Sequence, residues 1–274
     1  MSYQPESLPI GVFDSGVGGL TVLRALRDAL PHESFVYLGD TARLPYGTKS
    51  PATVQRYAKQ AAQVLVDRGV KLLVLACNTV SAVAVEPLRD HFRPLPVLGV
   101  VEPGAEAACA ASVSGTIVVT GTEGTIRGGA YDRAITRRRP RATVVGQPCP
   151  LFVALAEEGW VEGDVPTLAA RRYLDTALRR APGADCVVLG CTHFPVLREV
   201  VQGVVGPSVT VVDSAQTTAA AVRARLQQTS LERSDDGGGE LSLLATDDAE
   251  RFARVGAQFL ATELRAADVE LVDL

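Results

Sequence analysis

Short apolar segments rich in β-branched residues alternate with longer amphipathic segments along most of the chain. The apolar segments are hydrophobic on both faces, which is typical of strands inside a parallel sheet. They span Ile10–Phe13, Ser34–Leu38, Leu72–Leu75, Val97–Val100, Thr116–Val119, Ala142–Val145, Cys186–Leu189 and Val209–Val212. The clearest predicted helices span Leu20–Leu30, Pro51–Arg68, Gly104–Ala111, Thr167–Arg180 and Thr217–Gln228. This alternation predicts an α/β fold with mainly parallel sheets.

Two segments of the chain resemble each other around a cysteine. Residues 71–79 (KLLVLACNT) and 185–193 (DCVVLGCTH) are both apolar strands that lead through a small residue to cysteine and two polar residues. A further predicted strand follows each segment and leads into an acidic residue, Glu102 in the first case and Asp213 in the second. Buried strands can resemble one another by chance. The alternative is that the chain consists of two similar α/β halves that present equivalent strand ends to each other.

The second interpretation predicts a division of the chain into two domains. Residues 1–102 together with 213–274 form the first α/β domain, which carries Cys77. Residues 103–212 form the second α/β domain, which carries Cys191.

Composition and charge exclude several classes of protein. Hydrophobic residues make up 47% of the 274 residues and charged residues 21%, as in folded globular proteins rather than disordered or collagen-like ones. The formal net charge is −4 and aromatic residues make up only 5%, so we expect no nucleic-acid partner. The five cysteines are irregularly spaced and only three histidines are present, so neither a disulfide framework nor a metal site is predicted.

The sequence also carries signals about location and surface segments. The first nine residues lack the charged start and apolar core of a signal peptide, and no apolar run reaches the roughly 18–20 residues that span a bilayer. We therefore expect a cytoplasmic protein with reduced thiols and no membrane partner. The basic run 137–141 (RRRPR) predicts a solvated helix end, with contact to an anion or nucleic acid as the alternative. Residues 234–239 (SDDGGG) predict a surface loop.

Polar residues follow several predicted strands, at the edge where open α/β sheets bind their ligands. They are Asp14-Ser15-Gly16-Val17-Gly18-Gly19, Asp40-Thr41, Cys77-Asn78-Thr79, Glu102 and Cys191-Thr192-His193. The glycines of segment 14–19 permit a tight turn into a helix, whose first amides can hold an anion such as a carboxylate. The spacing of these glycines matches neither a P-loop nor a dinucleotide fingerprint, so binding of nucleotide cofactors is not indicated.

Cys77 and Cys191 are the strongest candidates for catalysis. Each follows a strand and is expected to precede a helix, whose N-terminus lowers the pKa of a thiol. His193 can lower the pKa of Cys191 further or transfer a proton. Two thiols on opposite faces of one carbon can remove a proton from one side and return it on the other, which inverts a stereocentre. The remaining cysteines are expected to be buried structural residues, and these are Cys109, Cys149 and Cys186.

Several motifs, in order along the chain, resemble those of the glutamate racemase family. The motifs are residues 11–20 (GVFDSGVGGL), 37–47 (YLGDTARLPYG), 76–79 (ACNT), 149–159 (CPLFVALAEEG) and 189–195 (LGCTHFP). The resemblance implies two α/β domains with the active site in the cleft between them. It also implies a racemase without cofactor that interconverts L- and D-glutamate and supplies D-glutamate for peptidoglycan. Members of this family commonly form homodimers, so a homodimer is expected.

The resemblance also implies roles for particular residues. Cys77 takes the proton from D-glutamate, and Cys191 takes it from L-glutamate. Asp14 assists Cys77, whereas His193 and Glu157 assist Cys191, with Glu158 left open as the alternative to its neighbour. The implied substrate-binding residues are Asp14, Ser15, Tyr46, Gly47, Asn78, Thr79, Thr192 and His193.

Two other functions remain open at this point. The first is a racemase of the same two-thiol chemistry that acts on aspartate or a hydantoin. The second is a protein without catalytic activity that closes two lobes on an amino acid. Two thiols together with Asp14 and His193 argue against the second alternative, because a binding protein has no use for an acid/base pair.

Overall fold

The structure, a computed structural model, describes residues 5–233 and 237–274. Its strands are β1 (Ile10–Asp14), β2 (Phe35–Gly39), β3 (Leu72–Leu75), β4 (Val97–Gly99), β5 (Thr116–Gly121), β6 (Thr143–Pro148), β7 (Cys186–Gly190), β8 (Thr210–Asp213), β9 (Leu241–Ala245) and β10 (Val269–Leu271). Its α-helices are α1 (Leu20–Ala29), α2 (Pro51–Asp67), α3 (Asn78–His91), α4 (Val101–Ala111), α5 (Glu123–Gly128), α6 (Ala130–Arg138), α7 (Pro150–Glu157), α8 (Asp164–Arg180), α9 (Arg198–Val205), α10 (Ser214–Thr229) and α11 (Ala249–Leu260).

The strands form two separate parallel sheets with the same internal arrangement. The first sheet has the order β10-β9-β2-β1-β3-β4, and the second has the order β6-β5-β7-β8. All the paired strands are parallel. The order β2-β1-β3-β4 is repeated as β6-β5-β7-β8, so the two similar α/β halves that the cysteine segments suggest are confirmed. Domain boundaries at residues 102 and 213 stay a prediction.

Apolar packing on both faces of the central strands explains why their sequences are continuously hydrophobic. In β1, Ile10 and Val12 pack in a cluster with side chains of α1, α10 and α11. Phe13, on the opposite face, packs in a second cluster with side chains of α2 and α3. Each fully buried side chain of this size contributes about 1.5–3 kcal/mol to folding. The carboxyl ends of these strands are thereby fixed relative to one another.

Every predicted strand and helix is present, with each end within three residues of its predicted position. The pattern does not predict β9 or β10, and α5, α7, α9 and α11 are not among the predicted helices. Strand β9 (LSLLA) contains no β-branched residue, and β10 has three residues at the edge of its sheet. Short strands of this kind have too little periodicity to be distinguished from loops.

The surroundings of Glu102 differ from the sequence prediction. Strand β4 ends at Gly99, and Glu102 lies in the first turn of α4, so the prediction that this strand ends in an acid, as β8 ends in Asp213, is wrong for Glu102. Helix α6 ends at Arg138, as the basic run predicts. Arg137 and Arg138 both bind the carboxylate of Glu102, which neutralises part of this run within the protein itself.

Two further sequence predictions concern the surface. Residues 234–236 of the predicted loop lie outside the described residues, and residues 237–239 form neither helix nor strand. Among residues 5–233 and 237–274, none of the helices combines the length and the apolar character that crossing a bilayer requires.

A buried ion pair joins the residue before β3 to the residues before β2. The Nζ atom of Lys71 lies 2.5 Å from Oε2 of Glu33, and the two side chains are 1% and 2% exposed. Lys71 also donates to the carbonyl oxygen of Glu6 at 2.6 Å. Lys71 therefore links Glu6 and Glu33 to the first sheet.

We expect Lys71→Met to lower the free energy of unfolding by about 3–5 kcal/mol, because Glu33 is then left buried without its cation. The double variant Lys71→Met/Glu33→Leu is expected to recover most of this loss, since no unpaired charge remains. Urea denaturation measures both, with Lys59→Met as the control on an exposed lysine. A single variant as stable as the wild type would contradict the expectation.

Candidate active site

The turn after β1 places an acid and a hydroxyl beside Cys77. Asp14 is the last residue of β1 and is fully buried, and its Oδ2 accepts a hydrogen bond from the amide of Gly16 at 2.9 Å. Its other oxygen, Oδ1, has no hydrogen-bond partner among the described residues. Burial raises the pKa of Asp14, although the positive charge of His193 and nearby backbone amides act in the opposite direction. A buried carboxylate with a free oxygen is suited to receive a positively charged group.

Cys77 is the N-cap residue of α3, as its position after β3 predicts. Its Sγ lies 3.3 Å from Oγ of Ser15, and the residue is 6% exposed. Burial and, next, the charge of Asp14 raise the pKa of Cys77 to about 12. The amide of Val80, in the first turn of α3, acts to lower the pKa of this thiol, but the expected net lowering is wrong because desolvation and a nearby carboxylate outweigh the helix.

A chain of polar side chains leads from Cys191 towards the first half of the molecule. The Sγ of Cys191 lies 3.8 Å from Nδ1 of His193, and Nε2 of His193 lies 3.0 Å from Oε1 of Glu157. Arg251 donates from Nη2 to Oε2 of the same carboxylate at 2.6 Å. A 3₁₀ helix, Phe194–Leu197, follows this segment, so the helix expected after Cys191 is short and begins three residues later.

The charged side chains of His193, Glu157 and Arg251 stabilise one another. Burial alone would lower the pKa of His193, but hydrogen bonds and charge interactions with Cys191 and Glu157 raise it to about 10. Burial alone would raise the pKa of Glu157, but His193 and Arg251 bring it below its usual value. Glu158, the other acid that the sequence leaves open, is exposed. The carboxylate that contacts His193 is thus that of Glu157.

The predicted binding residues that follow Cys77 contact side chains of both halves. Asn78 accepts a hydrogen bond at Oδ1 from the hydroxyl of Tyr131 at 2.8 Å, and its Nδ2 lies 3.4 Å from Oγ of Ser214. Thr79 lies 3.0 Å from Thr122, hydroxyl to hydroxyl. Tyr131 fixes which way the amide of Asn78 points, because a phenol donates and an amide oxygen accepts.

The loop between β2 and α2 brings Tyr46 and Gly47 to the same region. The hydroxyl of Tyr46 donates to Asp40, whose carboxylate also accepts from Nε of Arg43 at 2.6 Å. A Cβ atom on Gly47 would lie 3.0 Å from the side chain of Thr122. The loop of the first half therefore packs directly on the strand-end residues of the second.

The two halves approach closely at Gly18. A Cβ atom there would lie 2.4 Å from the imidazole of His193 and 2.6 Å from Oγ1 of Thr192, so only glycine fits this contact. Thr21 donates from its hydroxyl to the carbonyl oxygen of Thr192 at 2.8 Å. Cys191 is close enough to Cys77 to influence the pKa of that thiol.

Sequence reasoning missed five side chains that take part in these contacts. They are Thr122, Thr125, Tyr131, Ser214 and Arg251. The repeat of β1 by β5 is a signal that could have found Thr122, because it follows β5 where Ser15 follows β1. Tyr131 and Arg251 lie on helices, and no motif marks them. The other three cysteines are free thiols, of which Cys149 and Cys186 are buried and Cys109 is half-buried.

The arrangement provides two thiols at equivalent strand ends, an acid near one and an imidazole–carboxylate pair near the other. Within the described residues, no group of three or more histidine, cysteine, aspartate or glutamate side chains is arranged to hold a metal ion. A buried site of this kind is suited to proton transfer at a carbon atom.

Comparison with known proteins defines the class as amino-acid racemases, which are isomerases. The profile of the family described as Asp/Glu/Hydantoin racemase matches residues 19–222. The chain is 51% identical over 265 residues to the glutamate racemase of Geobacter metallireducens, covering 97% of this chain and 96% of that protein. The chain therefore belongs to the Asp/Glu/hydantoin racemase family.

Solved structures agree with this assignment. The glutamate racemase of Francisella tularensis in complex with D-glutamate superposes with a TM-score of 0.89 at 35% identity, covering 98% of each chain. The glutamate racemase of Thermus thermophilus in complex with β-chloro-D-alanine superposes with a TM-score of 0.88 at 41% identity, again over 98% of each chain. These neighbours share the arrangement of two α/β domains.

The raised pKa of His193 predicts how stability depends on pH. A histidine whose pKa rises on folding, here from 6.5 to about 10, stabilises the folded state fully below pH 6.5. That stabilisation is lost as the pH rises through the folded value. We expect the free energy of unfolding to fall more between about pH 7 and about pH 9.5 in the wild type than in His193→Asn.

Chemical denaturation at the two pH values measures this difference. His32→Asn is the control, because His32 is exposed. The same pH dependence in His193→Asn as in the wild type would mean that His193 is not charged in the folded protein.

Proposed function

We propose that the chain is a glutamate racemase that transfers protons at Cα through Cys77 and Cys191. The observation that carries this proposal is the pair of buried thiols at the ends of equivalent strands, close enough for Cys191 to influence the pKa of Cys77. Glutamate as the substrate is supported by the high identity to glutamate racemases over nearly the full length of the chain.

The partners of the two thiols suggest how they divide the reaction. The raised pKa of Cys77, about 12, favours the protonated thiol. A protonated imidazole 3.8 Å from Cys191 stabilises a thiolate there. In this state the thiolate of Cys191 takes the α-proton of L-glutamate, and the thiol of Cys77 gives its proton to the opposite face of the same carbon. The product is D-glutamate, and the reverse reaction begins from the opposite protonation state.

The other polar groups suit a substrate with two carboxylates and one ammonium group. The free oxygen of Asp14 is a partner for the ammonium group. The hydroxyls of Ser15, Thr79 and Thr192 and the amide of Asn78 are neutral donors for the carboxylates. Exclusion of water by closure of the two halves strengthens each of these interactions with the carbanion-like transition state.

The decisive experiment incubates glutamate with the purified protein in D2O without added cofactor. We expect deuterium to enter at Cα and optical rotation to be lost, as NMR and polarimetry measure. Cys77→Ser and Cys191→Ser are each expected to lower kcat by roughly 10²–10⁴-fold, because each removes one of the two acid/base groups. Cys109→Ser is the matched control, since this half-buried cysteine lies on α4 outside the site.

Other outcomes would redirect the proposal. Exchange with aspartate or a hydantoin but not with glutamate would keep the two-thiol chemistry and change the substrate. Binding of glutamate without any exchange at Cα would favour a binding protein. Activity that depends on added pyridoxal phosphate would contradict proton transfer by thiols alone.

We also propose that the protein is cytoplasmic and supplies D-glutamate for peptidoglycan synthesis. Five free cysteines fit a reducing compartment. Depletion of the protein in its host is expected to stop growth, and added D-glutamate is expected to restore it. Growth that D-glutamate does not restore would contradict this role.

A homodimer is the assembly that we propose. Four exposed apolar side chains near α7 and α8 support an interaction surface. They are Leu151, Trp160, Val165 and Leu168, and they are 48%, 56%, 52% and 61% exposed. If this surface forms the dimer, Leu168→Glu shifts the protein towards monomer in sedimentation velocity experiments. Val113→Glu is the control, because Val113 is also exposed but lies near the end of α4. A wild type that sediments as a monomer would contradict the proposal.

A further inference from the structure

Helix α11 connects the first half of the molecule to the side chains around Cys191. It packs on α1 and β10, and its first turn carries Arg251, which binds Glu157. Further along α11, Phe259 stands edge-on to the imidazole of His193, with ring centroids 5.3 Å apart and an interplanar angle of 82°. Residues eight positions apart lie on the same face of an α-helix, so one face of α11 carries both Arg251 and Phe259.

Glu157 has a different partner on each carboxylate oxygen. Oε1 contacts Nε2 of His193 at 3.0 Å, and Oε2 accepts from Nη2 of Arg251 at 2.6 Å. The glutamate is the last residue of α7, and its side chain is only 17% exposed. A carboxylate held on one side only can rotate away from its partner. The arginine prevents this rotation by a charge-assisted hydrogen bond to the second oxygen.

We propose that Arg251 is a positioning residue that aims Glu157 at His193 and so keeps the imidazole protonated beside Cys191. Arg251 lies outside residues 19–222, the segment that matches the family profile. The inference rests on the proposed function, because it assigns His193 and Cys191 to proton transfer.

The charged groups around His193 allow the proposal to be tested by the direction in which the pKa of His193 changes. Cys191 faces the imidazole from the end of β7, Asp14 from β1 and Glu157 from α7, whereas Arg251 acts from α11. The positive charge of the arginine, acting through space, disfavours a protonated imidazole. Its hold on Glu157 favours one. Loss of the arginine therefore lowers the pKa of His193 if positioning dominates, and raises it if only the charge acts.

NMR titration of the histidine rings in the full-length protein without substrate tests the direction of this pKa change. We expect the midpoint of His193 to fall by about one pH unit or more in Arg251→Gln. Arg251→Lys is expected to give a smaller fall, because lysine keeps the charge but holds the carboxylate less firmly. Arg254→Gln is the matched control, since this arginine is exposed on the same helix. A raised or unchanged midpoint in Arg251→Gln would overturn the proposal.

Racemisation kinetics provide the second readout. We expect Arg251→Gln to lower kcat roughly 10-fold while KM stays within about twofold, because the substrate-binding groups are unchanged. In a Glu157→Gln background the same substitution is expected to have little further effect. An equally large effect in that background would mean that Arg251 does not act through Glu157. If Arg251→Gln does not fold, the smaller fall expected in the titration midpoint of His193 in Arg251→Lys tests the same proposal.

The two proposals can fail separately. A wild type that does not racemise glutamate would contradict the proposed function, whereas the NMR titration requires no substrate and still tests the link between Arg251 and His193.

Discussion

The rest of the site depends on the close contact between the turn after β1 and the segment after β7. Gly18 makes this contact possible, because any larger residue would overlap the ring of His193. With the two turns touching, the hydroxyl of Thr21 reaches the backbone of Thr192, and both thiols become buried. Burial in turn raises the pKa of Cys77 and strengthens the charge interactions around it. The surroundings of the two thiols thus depend on how closely two backbone turns can pack.

The two halves have the same strand order but different electrostatic surroundings. Cys77 lies near the carboxylate of Asp14, which adds to the effect of burial and favours the thiol. Cys191 lies beside an imidazole whose pKa is raised by its hydrogen bonds to Cys191 itself and to Glu157. Topology therefore places the two thiols at equivalent positions, and the neighbouring side chains make them chemically distinct.

Much of this arrangement could be predicted from the sequence because it depends on local pattern. The eight predicted strands have strong apolar character, and the repeat around Cys77 and Cys191 by itself indicates two halves. Cysteine pKa values could not be predicted in the same way. The helix N-terminus at Cys77 is visible in the sequence, but the degree of burial and the proximity of Asp14 arise from long-range packing. Tyr131 and Arg251 were missed for the same reason, since their partners are 53 and 94 positions away.

The path of the chain between the two sheets determines how they can separate. The chain leaves the first sheet after β4, builds the whole second sheet, and returns after β8 through α10. It therefore crosses between the halves twice, and helices α4 and α10, which follow the two crossings, pack against each other. Two adjacent covalent connections restrict sliding and twisting of one half against the other more than they restrict rotation about the line that joins the connections. For the proposed reaction, any separation of the halves that admits a substrate would therefore bring the same residues back together in the same register.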